Sequence, residues 1–180
     1  FADAQRTGGD IDPQMHRFSR ATFENGGNFY LHPKVQLHDS DYHVVRAKED
    51  EDATRVKDPR KTGGDMTLDQ AQMWTHYVGL FSWPKISSDN LMILRDERKA
   101  FFRQAVAMPT CERFVPLDFW QHARHRDDPF AAFLGEAQGR SWLVVVNWSA
   151  DQTREFRIAG FTAEELRAVT KFSGSATTAT

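Results

Sequence analysis

The sequence predicts a parallel α/β region followed by an all-β region. Up to Met108, apolar residues recur at helical spacing in stretches separated by short strand-like segments. After Met108-Pro109 the apolar period drops to two. The first part therefore reads turn–helix–strand–loop–helix–strand–helix, the order of alternating α and β units, and the second part reads as strands only. The boundary falls near Pro109, dividing the chain into 1–109 and 110–180.

Each element has its own local signal. Thr7-Gly8-Gly9-Asp10 is turn chemistry, because two glycines punctuate it. Asp12-Pro13 reads as an N-cap followed by proline at the first helical position. The helix it opens over 13–25 places Met15, Phe18, Ala21 and Thr22 on one face, and Gly26-Gly27 is expected to stop it. Residues 28–37 read as a short strand interrupted by Pro33. The run 48–61 mixes both charge signs with almost no apolar content, and a loop this long is either functional or disordered. Thr67 with Gln70 is a capping-box pattern, opening a helix that presents Leu68, Ala71, Trp74, Tyr77, Val78 and Phe81. Trp83-Pro84 ends that helix, and 85–88 is a candidate strand. Asp89 reads as the N-cap of a further helix carrying Leu91, Leu94, Phe101, Phe102 and Val106. Strands are expected at 114–119, 130–137, 141–148, 153–158 and 166–172, with Gln138-Gly139-Arg140 as a hairpin connection and 173–180 as a frayed tail.

Composition narrows the functional classes. The chain has 180 residues, with 23 Lys+Arg against 25 Asp+Glu and a formal net charge of −2. A pI near 6.4 speaks against a generally basic nucleic-acid binder. With 40% hydrophobic and 12% aromatic residues, the composition is not that of a disordered chain. The longest apolar run, 142–146, is far too short to span a bilayer. One cysteine, Cys111, excludes an internal disulfide framework and a Cys-rich zinc site, and leaves the compartment open. The chain opens mid-pattern with Phe1-Ala2-Asp3, so we expect an internal fragment of a longer protein.

In parallel α/β folds, functional side chains gather where strands end and loops begin. Three such junctions carry acids: Asp10, the Asp39/Asp41 pair, and Asp89. Arg6 stands four residues before Asp10. A nearby cation lowers a carboxyl pKa and apolar burial raises it, and a general acid needs the raised value while it waits for substrate. Each acid has a plainer alternative: turn and cap chemistry for Asp10, an Asx-turn for Asp39-Ser40-Asp41, and a helix cap for Asp89. His32, His38 and His43 lie close to Asp39 and Asp41, which raises a metal site, but no pair has helical ligand spacing, and His38 and His43 would face opposite sides of an extended chain. His122 and His125 read as solvated, and Cys111 as structural. Trp83, Trp120 and Trp148 are candidate sugar-stacking platforms, with burial as the alternative.

The order of these motifs resembles glycoside hydrolase clan D, the family 27/36 α-galactosidases (melibiase-like). Arg6-Thr7-Gly8-Gly9-Asp10-Ile11-Asp12 resembles the family's Arg-x-x-x-Asp-Ile-Asp segment, and His38-Asp39-Ser40-Asp41-Tyr42 its Asn-Asp-Pro-Asp-Met segment. The stretch 72–94, with His76, Leu80, Pro84, Ser88, Asp89 and Leu94, resembles the helix, last barrel strand and last helix that follow. Trp142-Leu143-Val144-Val145-Val146-Asn147-Trp148 resembles a core strand of the succeeding sandwich. The resemblance implies the C-terminal part of a (β/α)8 TIM barrel over 1–109, from the end of its sixth strand, and an incomplete antiparallel β-sandwich over 110–180.

It also implies retaining hydrolysis of terminal α-galactosides. Asp10 matches the acid/base, and Arg6, Asp41 and Tyr42 match positions that bind the sugar. The nucleophile would be an Asp on an earlier strand, outside this chain. No metal or organic cofactor is implied, and the partner is a carbohydrate, with no nucleic acid and no membrane. Ser40 and Tyr42 depart from the family's Pro and Met, and the charged insert 48–61 is long for its loop. Residues 1–180 alone are expected to be inactive and aggregation-prone, since a part-barrel exposes strand edges. The rival functions are a non-catalytic carbohydrate-binding protein that uses exposed tryptophans on a sheet face, and a metal-dependent hydrolase built on His38, Asp39 and Asp41.

Overall fold

The computed structural model describes residues 4–47, 50, 66–122, 129–149, 152, 155 and 156. Most of the charged run 48–61, His125, most of the expected strand 153–158, the expected strand 166–172 and the tail 173–180 lie outside the described residues. Glu155 and Phe156, which are described, are not in a strand.

The first half is a β-α-β unit. Strand β1 (Ala4–Arg6) pairs in parallel with β2 (Leu37–Asp39), in the register Ala4↔Leu37, Gln5↔His38 and Arg6↔Asp39. Helix α1 (Met15–Gly27) makes the crossover that a parallel pair requires. It starts two residues later than Asp12-Pro13 suggests. Gln14 is the N-cap, with its carbonyl accepting the amides of Arg17 and Phe18, and no side chain caps the end. Nor do the glycines stop it, for α1 runs through both and ends at Asn28. Gly26 serves packing instead: a Cβ there would stand 2.7 Å from Phe130 Cδ2. Residues 28–37 also depart from expectation. Phe29–Leu31 form a 3₁₀ turn, and strand pairing begins only at Leu37.

Helix α2 (Leu68–Phe81) begins at the expected capping box, where Gln70 N–H donates to Thr67 Oγ1 at 3.2 Å and Thr67 N–H to Gln70 Oε1 at 3.1 Å. Leu68 is exposed, but every residue from Trp74 to Phe81 is buried. The chain then runs back beside β2. Trp83 N–H donates to His38 O at 2.7 Å, His43 N–H to Ile86 O at 2.8 Å, and Ser88 N–H to His43 O at 3.1 Å. The pairing is parallel at His43↔Ser87, although it amounts to a bridge rather than a strand. Helix α3 (Asp96–Ala107) is capped by Arg95, so Asp89 is not its N-cap. Arg98 and Ala105 form its buried face, while Leu91 and Val106 are exposed.

The second half holds an antiparallel sheet in the order β3–β4–β5: Arg113–Pro116, Ala132–Ala137 and Arg140–Val145. Burial alternates along β3 and β4 but not along β5, and the strands are shorter than expected. Phe119–His122 is a short helix, α4, rather than the end of a strand. His122 Nε2 lies 3.6 Å from Asp118 Oδ2 in that helix and is mostly covered, not solvated. Gln138 (φ 52°) and Gly139 (φ 70°) make the two-residue hairpin, in the left-handed conformation that matches strand twist.

The chain is thus mixed α/β, with a two-stranded parallel sheet and a three-stranded antiparallel sheet. One aromatic core joins the halves. Phe18 stacks on Trp74 at 4.6 Å, Trp74 on Tyr77 at 5.5 Å, and Tyr77 and Phe81 meet Phe133 at 5.7 and 5.4 Å. Cys111 N–H donates to Leu80 O at 2.7 Å, tying the start of the sheet region to the end of α2. Among the described residues, no helix is long and apolar enough to cross a membrane.

Candidate functional site

Because β1 and β2 are parallel neighbours, the loops that leave their C-terminal ends emerge on the same side. Arg6 ends one strand and Asp39 the other, directly opposite in register and therefore on the same face. Thr7 N–H donates to Asp39 O at 2.9 Å and carries the pairing one residue further.

The turn after β2 aims the next acid back at β1. Asp41 N–H donates to Asp39 Oδ1 at 2.9 Å, closing an Asx-turn, and Asp41 takes the left-handed conformation with φ 75°. A short polar side chain tolerates that conformation better than most. Asp41 Oδ2 then accepts Ile11 N–H at 2.9 Å, and its Oδ1 lies 3.6 Å from Arg6 Nη1. On its other side, Arg6 Nη2 lies 2.8 Å from Asp10 Oδ1.

The result is a guanidinium held between two carboxylates. The side chains grade from buried to open: Asp41 is 4% exposed, Arg6 47% and Asp10 77%. Burial alone would lower the Arg6 pKa, but the charges of Asp41, Asp10 and Asp39 together raise it. Burial raises the Asp39 pKa, which the Asp41 amide opposes and the Asp41 charge reinforces. Chemically, the cluster offers a fixed cation, a fixed acceptor and one solvent-exposed carboxylate paired to that cation. That set suits a polyhydroxylated ligand, with hydroxyls donating to carboxylate and accepting from guanidinium.

Of the four sequence-derived site residues, Arg6 therefore reaches two others, Asp10 and Asp41. Tyr42 is adjacent in the chain and largely exposed, and its backbone carbonyl accepts Trp74 Nε1–H at 3.1 Å. Asp89 lies elsewhere. It is buried, accepting Val45 N–H at 2.7 Å and pairing with Arg46 at 2.9 Å. It thus clamps the segment that follows Tyr42.

The histidines do not join the carboxylates. The ring of His38 lies on the opposite face of β2 from Asp39, 5.1 Å from His32 and 5.9 Å from Phe114. His43 Nε2 lies 2.9 Å from Thr75 Oγ1. Burial lowers the pKa of each to about 4, with His32 adding to the effect at His38. Among the described residues, no three His, Cys, Asp or Glu side chains converge as a metal-ligand set. Burial pushes the Cys111 thiol up to about 12, the environment of an inert packing residue. Trp83 and Trp120 are exposed, Trp120 by 88%, but neither belongs to the antiparallel sheet. Trp142 and Trp148 pack against the core, and Trp148 Nε1–H donates to Phe130 O at 2.9 Å.

Sequence reasoning missed the α1 side chains that touch the 7–9 turn, Glu24 and Asn25 among them. Their signal was indirect: paired glycines at Gly8-Gly9 permit a neighbouring element to approach the backbone closely. No protein-family model, no curated protein and no solved structure matches this chain.

Proposed function

We propose that this chain carries the acid/base side of the active site of a retaining glycoside hydrolase, most like a clan D α-galactosidase. The observation that carries the reading is Arg6 bridging Asp10 and Asp41 across the ends of adjacent parallel strands. On this reading the β-α-β unit, with the segment bridged at His43↔Ser87, is a run of successive barrel strands. The three-stranded antiparallel sheet is then part of the sandwich that follows the barrel.

The roles follow from placement. Asp41, nearly buried and fixed by the Asx-turn, accepts a sugar hydroxyl. Arg6 donates to the sugar and keeps the two carboxylates in register. Tyr42, exposed beside Asp41, presents its ring to the sugar's edge. Asp10, the most open of the cluster, takes the acid/base role once bound sugar shields it from water and shares the Arg6 guanidinium: it gives the leaving oxygen a proton and then takes one from the attacking water. The nucleophilic carboxylate of a retaining pair stands about 5–5.5 Å from its partner, and it comes from another part of the barrel. Substrate is a terminal α-galactoside, and the reaction needs no organic cofactor.

Asp10→Ala in the full-length protein tests the reading. Loss of general acid catalysis is expected to cost about 10²–10⁴-fold on a natural glycoside. The first step should suffer far less with an activated aryl leaving group, which hardly needs a proton. Azide should restore part of the turnover by attacking the glycosyl-enzyme without base help. Equal losses on both substrate types, in a folded variant insensitive to azide, would remove Asp10 from the acid/base role.

A further inference from the structure

Asp10 is exposed, yet the turn that presents it is gripped at almost every residue. The grip comes from one face of α1. Asn25 Nδ2–H donates to Thr7 Oγ1 at 2.7 Å. Ala21 stands against Gly8 so closely that a Cβ on Gly8 would lie 3.3 Å from Ala21 Cβ and 3.5 Å from Ser40 O. Glu24 Oε2 accepts Gly9 N–H at 2.5 Å. Ala21, Glu24 and Asn25 have the i, i+3, i+4 spacing of a single helix face, and they meet successive residues of the turn.

The gripping side chains are themselves held. Arg20 Nε lies 2.9 Å from Glu24 Oε1, one turn away on the helix. Asn25 is fully buried, and its Oδ1 accepts the hydroxyl of the buried Tyr77 at 2.8 Å. Past Asp10, Ile11 N–H is taken by Asp41 Oδ2 at 2.9 Å. The turn is thus fixed at Thr7, Gly8, Gly9 and Ile11, and the one side chain it leaves projecting into solvent is the carboxylate of Asp10.

Local turn or cap chemistry does not supply these contacts, which reach the turn from a helix thirteen to eighteen residues further along the chain. Fixing a reacting group to a fraction of an ångström does need such support, because a misplacement of about 1 Å can cost on the order of 10²-fold in rate. We propose that the Ala21–Glu24–Asn25 face of α1 is a positioning clasp, with Glu24 and Asn25 as positioning residues that set the placement of Asp10 relative to the scissile bond. The catalytic half of this proposal rests on the reading of Asp10 as the acid/base.

Glu24→Ala, Glu24→Gln, Gly8→Ala and Asp10→Ala in the full-length protein separate the two. Two readouts are taken: amide hydrogen exchange over residues 4–12, and kcat/KM along a series of aryl glycosides of rising leaving-group pKa. Glu24→Ala is expected to speed exchange at Gly9 by at least about tenfold. It is expected to lower kcat/KM by about 10- to 100-fold for the poorest leaving group and by less than about twofold for the best. Glu24→Gln should restore both, since its amide oxygen still accepts from Gly9 N–H. Gly8→Ala, which changes no charge, should reproduce the leaving-group signature by pushing the turn off α1. Unchanged exchange in Glu24→Ala overturns the clasp. So does a loss uniform across leaving groups that follows melting temperature in both Glu24→Ala and Gly8→Ala. If Asp10→Ala shows no leaving-group dependence, the acid/base reading fails and the catalytic half falls with it, while the exchange data still decide whether α1 holds the turn.

Discussion

Two Asp–Arg clusters among the described residues use the same side-chain types oppositely. Arg6, Asp10 and Asp41 sit at the open ends of β1 and β2, with Asp10 largely in solvent. In the second cluster, Asp50 pairs with Arg95 at 3.0 Å and with Arg98 at 3.3 Å, and its side chain is 1% exposed. Arg98 also donates to Val45 O and to Met66 O, and Asp50 accepts Ala47 N–H at 2.9 Å. Asp89, with Arg46, holds the same stretch of chain. The closed cluster spends its hydrogen-bonding capacity on the backbone it anchors. The open one commits the Asp10 carboxylate to Arg6 alone, at an accessible position. Residue type alone cannot tell a site from a staple; unused capacity at an accessible position can.

The sharpest way to break the comparison is to remove one cation from the closed cluster. Arg98→Ala leaves Asp50 buried with less compensation and strips the donors from two carbonyls. A loss of about 3–5 kcal/mol is expected, read from chemical denaturation. A loss under about 1 kcal/mol would show that water already satisfies the cluster.

Acid should act first on buried imidazoles that belong to neither cluster. His38, His43 and His76 each have pKa values lowered by burial from the ordinary 6.5 to about 4. Their unfolded forms take up protons that the folded forms refuse, so stability is full above pH 6.5 and falls as pH drops towards 4. Asp50, whose pKa is lowered by the Ala47 amide and Arg95 against the opposing effect of burial, loses its contribution only below the ordinary carboxylate range. Asp89 and Asp39, both raised by burial, work the other way and partly offset the decline, since they gain protons sooner when folded. A denaturant midpoint unchanged between pH 7 and pH 4.5 would contradict the burial of these imidazoles.

Two smaller effects sharpen the contrast. Thr67→Ala removes a complete capping box whose hydrogen bonds belong to neither cluster and is expected to cost about 1 kcal/mol, within the usual 0.5–2. The smallest effect belongs to the open cluster. An exposed Arg–carboxylate pair contributes about 0–1 kcal/mol, so Asp10→Ala should leave the melting temperature nearly unchanged while removing activity. A large destabilisation by Asp10→Ala would make the open cluster another staple.

Several elements were legible without coordinates because their causes are local. The capping box at Thr67 and Gln70, the hairpin at Gln138-Gly139, and the change to period two past Pro109 each depend on neighbours a few residues apart. Local rules misled where distant packing overrode them. Gly26 reads as a helix stop, yet Phe130 fills the space that any side chain there would need, so the glycine stays inside α1. Asp89 reads as a cap, but Val45 and Arg46, more than forty residues earlier in the chain, take its carboxylate instead.

The site divides in the same way. The sequence by itself determined which residues could act: Arg6 and Asp10 at a glycine-rich turn, and Asp39 and Asp41 at an Asx-turn, since side-chain chemistry and turn preference are properties of short segments. Only the tertiary structure decided which of them meet. Parallel pairing of β1 with β2 sets Arg6 opposite Asp39, the left-handed turn at Asp41 swings its carboxylate back to Ile11 and Arg6, and the α1 face holds the turn that presents Asp10. Those contacts join residues some fifteen to thirty-five positions apart, and no spacing rule reaches that far. Whether a carboxylate is buried and consumed, as Asp50 is, or left open, as Asp10 is, depends on what the rest of the chain packs around it.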